Sequence, residues 1–184
     1  MLGILSKMST DRRYMVLTAV GPDRPGLVQD ISRAIRDSGG NLEDSRMAIL
    51  GGEFALILLF SGPPSAVERV REQSRTFEGR LGLRVSLHET KRAMTGQGSV
   101  PYRLRVSGVD RPGIVASVSE ALAHRGINVA SLESRLQHAP ESGTPMFLLS
   151  AELQVPSEVA LAPLREDLAA VCEEESLDFS LEAG

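Results

Sequence analysis

The hexapeptide Asp-Arg-Pro-Gly-Leu-Val at residues 23–28 decides the fold, because it returns as Asp-Arg-Pro-Gly-Ile-Val at residues 110–115, 87 residues later. A second motif keeps the same offset, since Gly-Gly-Asn-Leu at residues 39–42 returns as Gly-Ile-Asn-Val at residues 126–129. Two separated motifs that share one offset indicate an internal duplication. The chain of 184 residues is long enough for two small domains, one for each copy.

Each copy opens with a strand and a helix. In the first copy, residues 14–20 are apolar and partly β-branched, which predicts a strand. Apolar residues then recur at helical spacing from Leu27 to Ile35, and the helix is predicted to begin at Pro25, where proline is favoured. Ser38-Gly39-Gly40 predicts the end of this helix, because glycine readily adopts the left-handed conformation found there.

A hairpin, a second helix and a last strand complete the copy. The Gly51-Gly52 pair predicts a two-residue turn between strands over residues 41–50 and 53–61. Pro63-Pro64-Ser65 opens the second helix, and residues 81–87 alternate as the final strand. The second copy repeats this β-α-β-β-α-β order. The sequence therefore predicts the α+β class: two tandem ferredoxin-like domains, each an antiparallel sheet with helices on one face.

The domain boundaries follow from the two copies and the polar segment between them. We predict a flexible tail over residues 1–13 and a first domain over residues 14–89. A linker over residues 90–100 then leads to a second domain over residues 101–184.

The turn between the first strand and the first helix is the candidate binding site. A helix begins with backbone N–H groups that lack an internal partner, and its dipole adds partial positive charge there. A helix starting at Pro25 or Pro112 puts arginine at the capping position, where Ser, Thr, Asn or Asp would normally satisfy those amides. The glycine that follows lets a ligand approach closely. A carboxylate can then bind the amides of Gly26, Leu27 and Val28, and in the second copy those of Gly113, Ile114 and Val115.

An amino-acid ligand also needs acceptors for its ammonium group. Asp23 and Asp110 lie in the same turns, and Asn41 and Asn128 open the next strands. In a ferredoxin-like unit we expect the start of that strand to lie close to the loop of a neighbouring domain. The alternative is purely structural: the Asp can bond its own loop amides, and Gly-x-Asn can be a helix stop followed by a turn. Retention of both motifs in both copies favours the functional interpretation.

Composition excludes several functional classes. The net charge of −4, the pI of about 5.5 and the 4% aromatic content disfavour direct binding of nucleic acid. No apolar run is long enough to span a membrane. Cys172 is the only cysteine, which favours a reducing, cytoplasmic location and a packed rather than reactive thiol. The three histidines lack metal-ligand spacing and no catalytic or phosphate-binding motif occurs, so we expect no enzyme activity, metal or cofactor.

At these motifs the sequence resembles ACT domains, the amino-acid-sensing modules of biosynthetic enzymes and regulators. Residues 41–54 are similar to the first-domain hairpin of the glycine cleavage system transcriptional repressor family, which has two tandem ACT domains and no catalytic domain, and Ser134-Arg135 resembles its second domain. The resemblance covers roughly residues 14–182. It places effectors at domain–domain interfaces, and the candidate ligand-binding residues are Asp23, Arg24, Pro25, Gly26, Leu27, Val28, Asn41, Leu42, Asp110, Arg111, Pro112, Gly113, Ile114, Val115, Asn128 and Val129.

The resemblance implies a regulator that inhibits a LysR-type activator of glycine cleavage genes without binding DNA itself. Glycine or another small amino acid is the implied effector, and a homodimer is a further expectation. Two alternatives stay open: a regulatory subunit that binds an enzyme of amino-acid metabolism, and a structural adaptor whose pockets bind nothing. A departure from the family pattern in the second strand–helix loop leaves open whether both sites have the same function.

One charged segment has no counterpart in the second copy. Residues 43–46 read Glu-Asp-Ser-Arg, whereas the aligned residues 130–133 read Ala-Ser-Leu-Glu. Alternating charge on a strand is typical of a solvated sheet face, and an asymmetric contact with a partner is the alternative.

Overall fold

A computed structural model describes residues 12–91, 98–140 and 142–184 and divides the chain into two compact units, Met1–Ala93 and Met94–Gly184. The first unit contains β1 (Arg13–Pro22), α1 (Leu27–Asp37), β2 (Asn41–Leu50), β3 (Glu53–Gly62), α2 (Pro64–Ser74), α3 (Phe77–Leu81) and β4 (Arg84–Thr90). The second contains β5 (Ser99–Val109), α4 (Ile114–His124), β6 (Asn128–His138), β7 (Pro145–Pro156), α5 (Leu161–Glu175) and β8 (Leu177–Ala183).

Each unit builds one four-stranded antiparallel sheet, in the order β2-β3-β1-β4 or β6-β7-β5-β8. The Gly51-Gly52 hairpin is confirmed, with both glycines in the left-handed region at φ 60° and 86°. The predicted class of two tandem ferredoxin-like domains is therefore correct. The first unit has an additional short helix, α3, before its last strand.

The helices cover one face of each sheet and build a separate core there. In the first unit, alternate strand residues such as Leu17 and Leu58 pack with Ile31 of α1 and Val70 of α2, all nearly inaccessible to solvent. The second unit has an equivalent aliphatic cluster. Because successive strand residues point to opposite faces, the residues between these buried ones lie on the face without helices, called below the open face.

A β-bulge at the start of β2 sets which residues of this edge strand face the helices. Its pairing with β3 shifts between Leu42 and Asp44, after which Met47 pairs with the buried Leu56. Since paired residues share a face, Met47 and Ile49 lie on the helix side, whereas Asp44 and Arg46 lie on the open face.

A side-chain contact ties the leading helix of each unit to the following one. Arg69 of α2 donates to the Ser38 carbonyl at the end of α1 over 2.6 Å. In the second unit, Arg125 pairs with both carboxylate oxygens of Asp167 in α5, at 2.6 Å and 3.0 Å. This pair lowers the pKa of the Asp167 carboxyl, chiefly through the hydrogen bond from Arg125. These contacts fix the helix ends farthest from the candidate site.

Strands extend from both sides into the segment predicted as a linker, residues 90–100. Thr90 closes β4 and Ser99 opens β5, while residues 92–97 lie outside the described part of the chain, as do residues 1–11 of the predicted tail.

Candidate functional site

The leading helix of each unit begins at a glycine in the left-handed conformation. Gly26 and Gly113 are the N-cap residues of α1 and α4, with φ of 94° and 104°. The predicted starts at Pro25 and Pro112 are therefore wrong: each proline lies in the turn, and the glycine carbonyl accepts the first helical bond, from Asp30 or Ser117. A side chain at such a φ is strained, which accounts for glycine at both positions.

These N-caps leave the first amides of each helix without a partner. Neither N-cap residue makes a side-chain hydrogen bond, because glycine has no side chain. Within the described residues, the N–H groups of Gly26, Leu27 and Val28 also have no backbone acceptor, and the same holds for Gly113, Ile114 and Val115. Unpaired amides and the positive end of the helix dipole make each turn suited to an anion.

A backbone hydrogen bond holds each turn against the neighbouring hairpin. Asp23 N–H donates to the Gly52 carbonyl at 3.0 Å, and Asp110 N–H donates to the Pro145 carbonyl at the same distance. Each strand–helix turn is thereby fixed to the end of the sheet where its hairpin lies. The loop that the sequence predicted as a binding site is thus held in a defined position in both units.

In the first unit the turn opens into a cavity of about 480 Å³. Residues 23–29 form one side, and Met47, Ile49 and Phe54 form the other. Met47 and Ile49 are about half exposed, whereas Phe54 is buried and closes the floor. The cavity therefore offers amide donors on one wall and apolar side chains on the other, a combination typical of sites for small amphipathic ligands.

Arg24 adds positive charge beside these amides. Its guanidinium donates to the Pro25 carbonyl at 3.1 Å and to Asp30 at 3.2 Å, and one of its nitrogens lies 3.9 Å from the position that a Cβ at Gly26 would occupy. Arginine has five N–H donors, so these contacts leave others available to an incoming carboxylate.

Asn41 and Asn128 lie at the opposite end of their sheets from these turns. Asn41 pairs with Ser61 near the start of β1, whereas the Asp23–Val28 turn follows the end of that strand. Asn41 donates to Glu43 at 3.1 Å, and Asn128 donates to Gln154 at 2.8 Å. A strand of ten residues is about 30 Å long. Within one unit, the asparagine and the helix amides therefore do not form a single site.

The flanking residues Leu42 and Val129 open β2 and β6 beside these asparagines. Leu42 is 40% exposed, and Val129 packs against the core of its own unit. They share the location of Asn41 and Asn128, away from the strand–helix turns.

The apolar wall formed by Met47 and Ile49 was not predicted as part of the site. The signal was present as alternation along residues 44–50, but the bulge at the start of β2 hides which of the two alternating sets faces the helices. In the second unit, pairing to β7 puts Ser134 and Leu136 at the corresponding positions. The strand–helix turns of the two units thus have the same backbone conformation, but the side chains on the β-strand opposite each turn differ.

The single thiol of the chain lies in the core of the second unit. Cys172 is buried, and burial, helped by Asp178, raises the pKa of its thiol. Within the described ranges, no group of three or more His, Cys, Asp and Glu side chains is placed to hold a metal ion. Across those same ranges, no helix is both long and apolar enough to cross a membrane.

Comparison with known proteins matches both units to one domain family. ACT domain family models match residues 13–88 and residues 102–166. The glycine cleavage system transcriptional repressor of Escherichia coli (strain K12) is 28% identical over 165 residues, which span 90% of this chain and 87% of that protein.

Solved structures show the same two-unit architecture. A protein of unknown function from Galdieria sulphuraria is 30% identical with a TM-score of 0.78, covering 95% of this chain and 99% of its own. A crystal structure assigned as a glycine cleavage system transcriptional repressor is 29% identical with a TM-score of 0.72, covering 94% of this chain and 98% of its own.

Proposed function

Because the chain belongs to the ACT domain family, with one such domain in each half, we propose that this regulatory protein senses a small amino acid and has no catalytic activity. The observation that supports sensing is the set of unpaired amides at the start of α1, which open into a cavity of about 480 Å³. The proposal extends to the matching amides of α4.

The ligand carboxylate is the group that these amides select. It accepts hydrogen bonds from Gly26, Leu27 and Val28 and gains from the helix dipole, as anions do at other helix N-termini. Asp23 lies in the same turn and accepts from the ligand ammonium. The open wall at Met47 and Ile49 accommodates the ligand side chain, so glycine and slightly larger amino acids all fit a cavity of this size.

The residues that open β2 and β6 contact the ligand only if an ACT domain other than their own supplies the helix amides. They are Asn41, Leu42, Asn128 and Val129. This follows from their position at the far end of each sheet. Their proposed role is a second set of contacts to the same ligand, in which the side-chain amide both donates and accepts.

We propose that the output is a contact with another protein in the cytoplasm rather than with DNA. The net charge of −4 gives the chain no general attraction for a polyanion. The name of the E. coli relative supports a role in transcription. The partner proposed, which the resemblance to the glycine cleavage repressor family implies, is a LysR-type activator. The second candidate is an enzyme of amino-acid metabolism bound in trans, and the third is an adaptor with pockets that bind nothing.

A thermal-shift screen of the twenty amino acids tests the sensing proposal. A ligand at 100 times its Kd stabilises the unit that binds it by about 2.7 kcal/mol, so one or a few small amino acids are expected to raise the Tm. The carboxamide of each active amino acid is the matched control and is expected to have little effect, because it lacks the anionic group.

The same screen with Asn41→Ala and Asn128→Ala tests the second set of contacts. A reduced response is expected, and an unchanged response removes these residues from the site. No stabilisation of the wild-type protein by any amino acid contradicts the sensing proposal and favours the adaptor. Co-purification from cells then separates the partners, since a transcription factor supports the first candidate and a metabolic enzyme the second.

A further inference from the structure

The open face of the first unit is apolar where the equivalent face of the second unit is charged. Val16 and Leu59 pair across β1 and β3, and Ile57 lies two residues along β3, on the same face, where it pairs with Thr18. At the same positions in the second unit stand Arg103, Glu152 and Ser150. The fold therefore tolerates polar residues at these positions, and core packing does not account for the apolar set in the first unit.

This apolar set is partly accessible, since Val16 and Leu59 are half-buried and Ile57 is exposed. Ile57 is 50% exposed, and a groove of about 250 Å³ runs along it beside Val16, Leu59 and the Asp44–Arg46 segment of β2. Contiguous exposed apolar surface of this kind marks an interaction site in soluble proteins.

We propose that this open face binds the same face of a second copy of the chain, forming a symmetric dimer with its two-fold axis parallel to the strands. The argument is the order of residues across the sheet. Reading from β2 to β4, one row contains Asp44, Leu59, Val16 and His88. A rotation about an axis along the strands reverses this row, because it exchanges the two edges of the sheet.

The reversed row complements the original one. Leu59 meets Val16 of the second copy, and Asp44 meets His88 of the second copy, each contact occurring twice because the interface is isologous. His88 is exposed and contacts Ser86 through Nε2 at 2.9 Å, so it is positioned at the β4 edge. Asp44 is held at the β2 edge by Arg46 at 2.7 Å. An apolar centre flanked by a carboxylate at one edge and an imidazole, which can donate a hydrogen bond to it, at the other is an arrangement that favours one register of association.

The area of the face agrees with a dimer of moderate affinity. Four strands about 4.8 Å apart and seven residues rising about 3.4 Å each give a footprint of about 450 Å². Two copies together bury about 900 Å², near the lower limit of about 1,000 Å² for specific interfaces. A dissociation constant in the micromolar range is therefore expected. The charged segment 43–46, unassigned by the sequence, then contributes to this contact.

Sedimentation velocity of the full chain from about 1 to 100 µM tests the dimer. The wild-type protein is expected to pass from monomer to dimer across this range. Leu59→Glu introduces the residue type that the second unit already carries at the matching Glu152, and it is expected to weaken dimerisation at least 10-fold with an unchanged far-UV circular dichroism spectrum. Leu136→Glu, on the exposed part of β6, is the matched control and is expected to leave dimerisation unchanged.

Exchange of the two polar residues at the ends of the row tests the register of the two copies. Asp44→His alone is expected to weaken the dimer, and adding His88→Asp is expected to restore it, since the row remains complementary after the exchange. A protein that stays monomeric at 100 µM, a dimer insensitive to Leu59→Glu, or a failure of the second substitution to restore association overturns the proposal. None of these outcomes depends on amino-acid binding.

Discussion

Gly26→Asp is expected to weaken amino-acid binding by the first unit about 100-fold. The new carboxylate caps α1 itself at the amide of Val28 or Gln29, and its charge repels an incoming carboxylate from the amides of Gly26, Leu27 and Val28. Loss of two hydrogen bonds to a charged ligand, each contributing about 1.5 kcal/mol, corresponds to this factor. The helix should survive, because the gain from capping offsets the strain of an Asp at the φ of 94° observed here.

Titration calorimetry with an amino acid active in the thermal-shift screen measures this effect. Gly113→Asp is expected to act in the same way on the second unit, and the double variant is expected to lose both sites. Gly143→Asp is the matched control, since Gly143 is also left-handed, at φ 68°, and a side chain there has open space in the β6–β7 loop. Unaltered affinity in the double variant would exclude the helix amides as the carboxylate site.

Phe60→Ala is expected to lower the free energy of unfolding of the first unit by about 3–5 kcal/mol, the usual cost of removing a buried aromatic side chain. Phe60 is completely buried in β3 and packs within the cluster formed by the sheet and α1. This cost is a large fraction of the total stability of a small domain, so the substitution should unfold a substantial part of the first unit near physiological temperature.

Urea denaturation followed by circular dichroism checks this expectation. Leu50→Ala is the matched control, because Leu50 is 74% exposed at the hairpin and should change stability by less than about 0.5 kcal/mol. A loss below about 1 kcal/mol for Phe60→Ala contradicts the core assigned to the first unit.

The sequence predicted the fold well because its strongest signals are local. Two motifs at one offset reveal the duplication, and the Gly51-Gly52 pair favours a two-residue turn, so the element order and both hairpin strands follow directly. The start of α1 was wrong by two residues. Proline is acceptable both in a turn and at the first position of a helix, and only the backbone of Gly26 distinguishes the two.

The candidate site was predicted in part for the same reason. The amides of residues 26–28 depend on one local turn, and the structure leaves them unpaired as expected. Met47 and Ile49 line the cavity because the bulge at Glu43 exchanges the faces on which the following residues of β2 lie. The alternation of residue types along the strand does not reveal a bulge. The separation of Asn41 from the turn likewise depends on strand direction, a long-range property of the sheet.

The unpaired amides of the leading helices are the central feature of the account, and nuclear magnetic resonance observes them directly. In a ¹⁵N-labelled sample, a stabilising amino acid is expected to shift the N–H signals of Gly26, Leu27 and Val28 downfield more than any others, with matching shifts at residues 113–115 if the second unit also binds. If the amino acid shifts other N–H signals but leaves the signals of residues 26–28 and 113–115 unchanged, the account is contradicted.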